Sequence, residues 1–245
     1  MNTEFNQAND NDTDKNILEL LSKHKDEHIR AAVALNDNSE ENTLLYLVGD
    51  KSEYVKDNLL MNRNKFNPKD YIIQYCKNTQ LKPVEECDAD FILSLRLDND
   101  LNKHLSVVEN DLDKQIQWIK HYKIREASRL EFYFIIQSDK DNKLGAVRLY
   151  DFNKNSFCWG SWMIKRDAPN ITSIESALTV YEFAFNILGF NQSHFDVRKG
   201  NNKVIEFHKR FGAKIISEDE LNYYFIILKS DYEISKKRYN KFLLN

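Results

Sequence analysis

Two short stretches in the C-terminal third carry side chains able to move protons. In Val204, Phe207, His208 and Phe211 a helical stripe carries one histidine. An imidazole with a reference pKa near about 6.5 can give or take a proton at neutral pH. The same stripe would also suit a hydrogen-bonded core histidine. Just upstream, Ser193–Val197 alternates as a strand. His194 and Asp196 then share one face, and Phe195 and Val197 the other. Asp196 or His194 can serve as a general base, or only pair with Arg198 or Lys199. Arg148 stands mid-strand among apolar residues, where a cation reaches a partner or a phosphate. By alternation, Trp159 and Trp162 lie on opposite faces of one strand, so one can stack on a sugar or a base while the other packs in the core.

Periodic patterns supply the elements that must hold these groups. Strands are predicted at Leu81–Val84, Phe132–Gln137, Leu144–Phe152, Phe157–Ile164, Ser193–Val197, Ala213–Ser217 and Tyr223–Leu228. Asp139–Asn142 and Asn153–Asn155 read as turns. Helices are expected at Cys87–Leu97, Leu112–Ile124, Ile174–Leu188 and Asn202–Phe211, the last stopped by Gly212. A final helix is expected from Ser230, with Glu233 completing a capping box. Antiparallel hairpins followed by a strand–helix–strand crossover make a mixed α/β sheet.

Ahead of these, Ile29–Asn36 aligns with Val55–Asn62 at an offset of 26, and Leu18, Leu20 and Leu21 meet Leu44, Tyr46 and Leu47. A fixed offset of this size suggests stacked helical units. The pattern resembles the leucine-rich repeat variant family; two ordinary amphipathic hairpins are the alternative. The expected organisation is a disordered tail over residues 1–14, helical repeats over 15–66 and a linker over 67–79. Asn64–Pro68 reads as the connection and Tyr71–Lys77 as a bridging helix. A catalytic domain spans 80–245.

The whole chain has 245 residues and a net charge of −3, with acids and bases interspersed. That balance gives no electrostatic case for nucleic acid or an anionic membrane. Cys76, Cys87 and Cys158 form no CxxC pair, which argues for reduced thiols in a cytosol and against a disulfide framework or a metal site. No apolar run is long enough to span a bilayer. Lys236-Lys237-Arg238 reads as a solvated helix face.

Val197-Arg198-Lys199-Gly200-Asn201 through Phe207-His208-Lys209-Arg210-Phe211-Gly212 resembles the "V…N..A…Y.K.GF" motif of the GNAT N-acetyltransferases. The order of strands and helices is that family's too. The resemblance implies an α/β fold with a mostly antiparallel mixed sheet flanked by helices, behind a small all-α repeat region. It implies an acetyl-CoA donor and direct attack of an amine on the thioester. Asn201 takes the family's asparagine position and His208 that of the tyrosine that protonates the departing thiolate, with Phe207 beside it. The oxyanion would meet a main-chain N–H near Met163 or Ile164. The cofactor pyrophosphate would sit on Asn170-Ile171-Thr172-Ser173-Ile174-Glu175-Ser176, where Ser173 and Glu175 replace the family's glycines. Here two readings compete: phosphate binding by amides and hydroxyls with Glu175 turned aside, or a Thr172-x-x-Glu175 capping box.

Within the superfamily the chain looks most like transferases acting on nucleotide-linked amino sugars. Arg96-Leu97-Asp98, Leu101-Asn102-Lys103 and Leu105-Ser106 support this, in the loop that lines the acceptor site. Arg96, Asn102, Lys103, Arg148, Trp159 and Trp162 are thus candidate acceptor contacts. The expected reaction is acetyl transfer to the amine of a nucleotide-activated deoxyamino sugar, by a cytoplasmic protein that can form homo-oligomers. Acylation of a protein or peptide amine, and a degenerate transferase acting as a scaffold, are the alternatives.

Overall fold

The computed structural model describes residues 3–48, 50–62, 72–103, 106–127, 129–138 and 140–244. Asn64–Pro68, Tyr71, Leu105 and Asp139 lie outside them. The chain divides into two compact units, Met1–Asn67 with Phe183–Phe190, and Pro68–Glu182 with Asn191–Asn245.

The first unit holds five helices: α1 (Thr3–Asn9), α2 (Lys15–Leu21), α3 (Glu27–Leu35), α4 (Glu41–Val48) and α5 (Glu53–Met61). The segment expected to be disordered therefore contains α1. Ala8 is fully buried, and the Ala8 and Asp10 carbonyls accept the two amide protons of Asn36 at 3.0 and 2.9 Å. Asn62 repeats this bond pair on Ala34 and Asn36 at 2.7 and 2.8 Å. The two asparagines are 26 residues apart, so the sequence offset returns as a repeated hydrogen bond. Leu18 and Leu44 share a buried position, whereas Leu20 and Tyr46 share an exposed one.

In the second unit, seven strands make one sheet: β1 (Thr79–Pro83), β2 (Phe132–Ser138), β3 (Lys143–Asn153), β4 (Ser156–Ile164), β5 (Gln192–Arg198), β6 (Lys214–Glu218) and β7 (Asn222–Leu228). Their spatial order is β1-β2-β3-β4-β5-β7-β6, and every pair is antiparallel except β4–β5. Strand alternation gives the sheet two apolar faces. Tyr133, Ile135, Ala146 and Met163 pack under α6 (Ala89–Leu97) and α7 (Leu112–Ala127) through Ile92, Leu95, Ile119 and Tyr122. Phe157 and Trp159 meet Tyr181 of α8 (Thr172–Glu182), and Phe195 and Phe225 meet His208 of α9 (Asn202–Arg210).

Three local expectations are corrected. The helix beginning near Ile174 does not stay α-helical to Leu188, because Phe183–Ile187 widens into a π turn. Residues 72–77 are not a bridging helix. They run extended against the sheet, with bridges Ile73↔Leu81 and Cys76↔Leu243. The last helix, α10 (Lys229–Lys236), starts after Leu228 with no side-chain cap, so the Ser230–Glu233 box does not form. Its anchor is instead Glu182, which accepts Tyr232 Oη at 2.6 Å and pairs with Lys236 at 2.9 Å.

Candidate active site

Parallel β4 and β5 are hydrogen-bonded only at Ser156↔Gln192 and Phe157↔Ser193. Farther on, β4 follows β3 while β5 follows β7 from Gln192↔Leu228 to Arg198↔Asn222. The two strands therefore splay. A cavity of about 320 Å³ opens between them, lined by Tyr150, Cys158–Trp162, Phe195–Arg198, Asn201, Val204 and His208.

A bulge shapes the β4 wall. Ala146 pairs with Met163 and Arg148 with Gly160, so two steps along β3 oppose three along β4. Ser161 sits at φ +46°, where an L residue is strained by a local cost of about 1–3 kcal/mol. The extra residue switches the face on which Trp162 emerges. Trp159 and Trp162, expected on opposite faces, lie 5.4 Å apart at 62°. Trp162 Nε1 donates to Ser176 Oγ at 3.2 Å, fixing the cavity wall to the second turn of α8. The two residues expected to offer the oxyanion donor do not line this cavity. Met163 and Ile164 are paired in the ladder with Ala146 and Gly145, and Met163 is buried under α6 and α7. Gly160, Ser161 and Trp162 line the cavity instead.

His208 and Asp196 reach this one space from opposite faces of the sheet. His208 is buried among Phe195 at 4.3 Å, Trp159 at 5.3 Å and Phe207 at 5.7 Å between centroids. Its Nδ1 is buried, with no hydrogen-bond partner among the described residues. Burial pushes the imidazole down to about 3, so the ring is neutral at physiological pH rather than poised near its ordinary value. Asp196 is exposed and stands on the face of Tyr150 and Cys158. Burial raises the Cys158 thiol to about 12 and keeps it protonated beside the Tyr150 hydroxyl. His194 is committed elsewhere, with Nδ1 2.7 Å from Ser156 Oγ and Nε2 3.0 Å from Asp151 Oδ2.

At the start of α8, Glu175 is fully buried and turned away from Thr172. Its carboxylate accepts the Asn78 amide N–H at 3.0 Å and Asn78 Nδ2 at 2.8 Å. No capping box forms, and Glu175 is removed from the expected pyrophosphate contacts because Asn78 holds it. The Thr172 amide donates to the Pro169 carbonyl, and those of Ile174 and Glu175 to the Ile171 carbonyl. The Ser173 amide has no backbone partner among the described residues. Ser173 Oγ donates to the exposed Asn170 at 3.2 Å. Thr172 instead borders a second cavity of about 370 Å³, with Ile171, Asn78, Thr79 and Lys140 among its walls. The Thr172 and Thr79 hydroxyls are buried there without partners among the described residues.

A sequence model of the acetyltransferase (GNAT) domain matches residues 78–214. The chain belongs to the GNAT acetyltransferase family. It is an N-acetyltransferase, and its family uses acetyl-CoA as donor. The chain is 47% identical to the solved apo form of FdhC, described as a nucleotide-linked sugar GNAT. That match covers 70% of this chain and 98% of FdhC, with a TM-score of 0.65. A GCN5-related N-acetyltransferase from Brucella melitensis matches at 14% identity and TM-score 0.59, over 72% of this chain and 86% of its own. Spermidine N-acetyltransferase from Vibrio cholerae, solved with CoA and spermine, matches at 19% and 0.54, over 63% and 98%. These last two share the fold alone. A comparison with curated proteins finds no match.

The loop expected to line the acceptor site is knitted to itself. Asn102 Nδ2 donates to the Arg96 carbonyl at 3.0 Å, and Lys103 pairs with Asp100 at 2.9 Å. Arg96 donates to the Ser106 carbonyl and hydroxyl at 2.8 Å each. None of these three borders the cavity between β4 and β5, nor does Arg148, which is paired with buried Glu131. Asn201 borders it as the N-cap of α9 without a side-chain cap bond, while Phe207 backs Trp162 at 5.0 Å. Tyr150, Cys158, Gly160 and Arg198 were missed. Tyr150 was within reach of sequence reasoning, being two residues from Arg148 and so on its face. A methyl group on Gly160 would come within 3.0 Å of the Tyr150 hydroxyl, so this glycine makes room for it.

The neutral His208 predicts an acid-sensitive fold. Its folded-state value lies below that of the unfolded chain, so the unfolded chain takes the proton first as pH falls. The His208 contribution is intact above about pH 6.5 and declines by about 1.4 kcal/mol per pH unit down to about 3. Urea unfolding at a series of pH values should show this slope, with His208→Phe flattening it. Equal slopes in both proteins would mean that the ring is protonated in the folded state.

Proposed function

We propose that the protein transfers the acetyl group of acetyl-CoA to the amino group of a nucleotide-activated deoxyamino sugar, in the cytoplasm. One observation carries the reading: an opening between β4 and β5 meets Asn201, His208 and Trp162, which is bonded to Ser176 of α8, from one face, and Asp196 and Tyr150 from the other. Donor and acceptor can then meet head-on. The similarity to FdhC supports the acceptor class.

In this reading the pantetheine arm lies between the splayed strands and the pyrophosphate meets the Ser173 amide. The amine nitrogen attacks the thioester carbon from the Asp196 side, and Asp196 takes the nitrogen's proton. The carbonyl oxygen gains charge beside main-chain N–H groups of the Gly160–Trp162 bulge. The carbon–sulfur bond breaks, an amide results, and the leaving thiolate accepts a hydrogen bond from the neutral His208 imidazole and takes a proton from water, to which Asp196 returns the proton of the amine. The aromatic wall around His208 lowers the local dielectric and strengthens the polar contact made there.

Release of free CoA thiol should be monitored with nucleotide amino sugars, peptides and polyamines in parallel. Turnover confined to the nucleotide sugars supports the proposal, and preference for a peptide or polyamine overturns it. Ser173→Asp provides a separate check of the phosphate position. The added charge should weaken acetyl-CoA binding about tenfold in calorimetry while raising helix stability by about 0.5 kcal/mol. Unchanged affinity would place the pyrophosphate elsewhere.

A further inference from the structure

Outside the cavity, one row of side chains on the α6–α7 face has no role yet. Along α7, Trp118, Tyr122 and Arg125 follow helical spacing and share a side. Arg125 lies 5.5 Å from the Trp118 ring. From the sheet, Arg148 reaches the same ring at 5.5 Å and the Tyr150 ring at 4.8 Å. Tyr150 itself lines the cavity between β4 and β5. These contacts string Tyr150, Arg148, Trp118 and Arg125 into a continuous series leading away from the reaction space.

The charges along the series do not balance. Arg125 Nε and Arg148 Nε both bond the single carboxylate of Glu131, at 2.5 and 2.6 Å. Arg96 pairs with no carboxylate among the described residues, and its Nε is buried without a partner there. Arg96 and Arg148 both place positive charge near the buried Tyr133 hydroxyl, whose ring stands edge-on to Trp118 at 5.8 Å. Glu85 and Glu126 are already held by Lys123, at 2.9 and 2.6 Å. Two guanidiniums thus share one acid beside an indole that is 37% exposed, and Arg96 adds a third positive charge with no carboxylate of its own among the described residues. A buried N–H with no acceptor costs free energy until a ligand supplies one. Planar guanidiniums suit phosphate oxygens, and an exposed indole suits a nucleobase. The same charge repels a polyamine.

We propose that Trp118, Arg125, Arg148 and Arg96 bind the nucleoside diphosphate of the acceptor, the base against Trp118 and the phosphates among the guanidiniums, so that the sugar amine falls at Tyr150 and Asp196. This rests on the nucleotide-sugar reading above. It adds where the nucleotide is held and which groups select it.

The test is calorimetric titration of uridine and thymidine diphosphate into the full chain, with acetyl transfer to a nucleotide amino sugar measured separately. The expected result is diphosphate binding that weakens with salt, falls about tenfold to a hundredfold in Trp118→Leu, and falls several-fold in Arg125→Gln. Arg125→Gln leaves Arg148 on Glu131, so it keeps the test valid if Trp118→Leu misfolds. Binding indifferent to both variants, or absent up to about 10 mM, overturns the site. If such a chain still acetylates nucleotide sugars, the proposed function survives without this site. Variant-sensitive diphosphate binding with no nucleotide-sugar acetylation keeps the site and removes the acceptor assignment.

Discussion

Asp196→Asn should lower turnover about 10²–10⁴-fold while leaving acetyl-CoA affinity nearly unchanged. The residue is exposed and stands on the face of the opening that carries Tyr150 and Cys158, apart from the α8 and α9 elements proposed to hold the donor. Asparagine keeps the shape but cannot accept the amine proton. Pre-steady-state and steady-state rates with a saturating amine would measure the loss, and calorimetry with acetyl-CoA would measure the donor. A variant that turns over within about threefold of the parent would show that the amine loses its proton to water instead. Because His194 is held by Ser156 and Asp151, it is poorly placed to substitute.

Gly145→Ala should be the most damaging single change to stability. A methyl group at this position would lie 2.2 Å from the Met163 carbonyl oxygen and 3.1 Å from the Ile164 Cα. Both are backbone atoms of the neighbouring strand, so no side-chain rotation relieves the clash. Overpacking costs typically reach about 3 kcal/mol, which for a chain of this size lowers Tm by roughly 6–12 °C. Gly200→Ala makes a useful comparison: its φ is +92° but nothing lies within 4 Å of the added carbon. It should cost only the backbone strain, about 1 kcal/mol. Thermal melts of the two variants that superimpose would mean that β3 and β4 separate freely at Gly145. Since Gly145 pairs with Ile164, just past the Ser161 bulge, a shifted register there should also reduce turnover.

The legibility of each element in the sequence depends on how its signal is generated. Long amphipathic periods announced α7, α8 and α9, and alternation announced β3, because burial on one face imposes those periods directly, while β2, buried on both faces, showed as a continuous apolar run of β-formers. Asp196 and His208 could both be picked out because each pattern fixes a direction. Their convergence was invisible, since it depends on β5 leaving β4 after two residue pairs. The bulge at Ser161 has no sequence signature here: serine is not the residue that φ +46° favours. Missing it put Trp162 on the face opposite Trp159. The α1 segment failed for another reason. It is almost wholly polar, and what orders it is Asn36, a residue in the following layer that bonds its carbonyls. Residues 72–77 were too short a run for period to distinguish helix from strand.

The attachment of Asn78 to Glu175 sets a practical limit on dissecting this enzyme. The Glu175 carboxylate, which would oppose phosphates at the cofactor position proposed above, is satisfied by a backbone and a side-chain donor lying two residues ahead of the first expected catalytic-domain residue. Ile73 and Cys76 add bridges still farther upstream. A truncated version beginning at residue 80 would cut these ties and leave a buried anion without its donors, so its failure to bind CoA would say nothing about the missing helices. An excised transferase that tests the helical region fairly has to begin no later than Ile72.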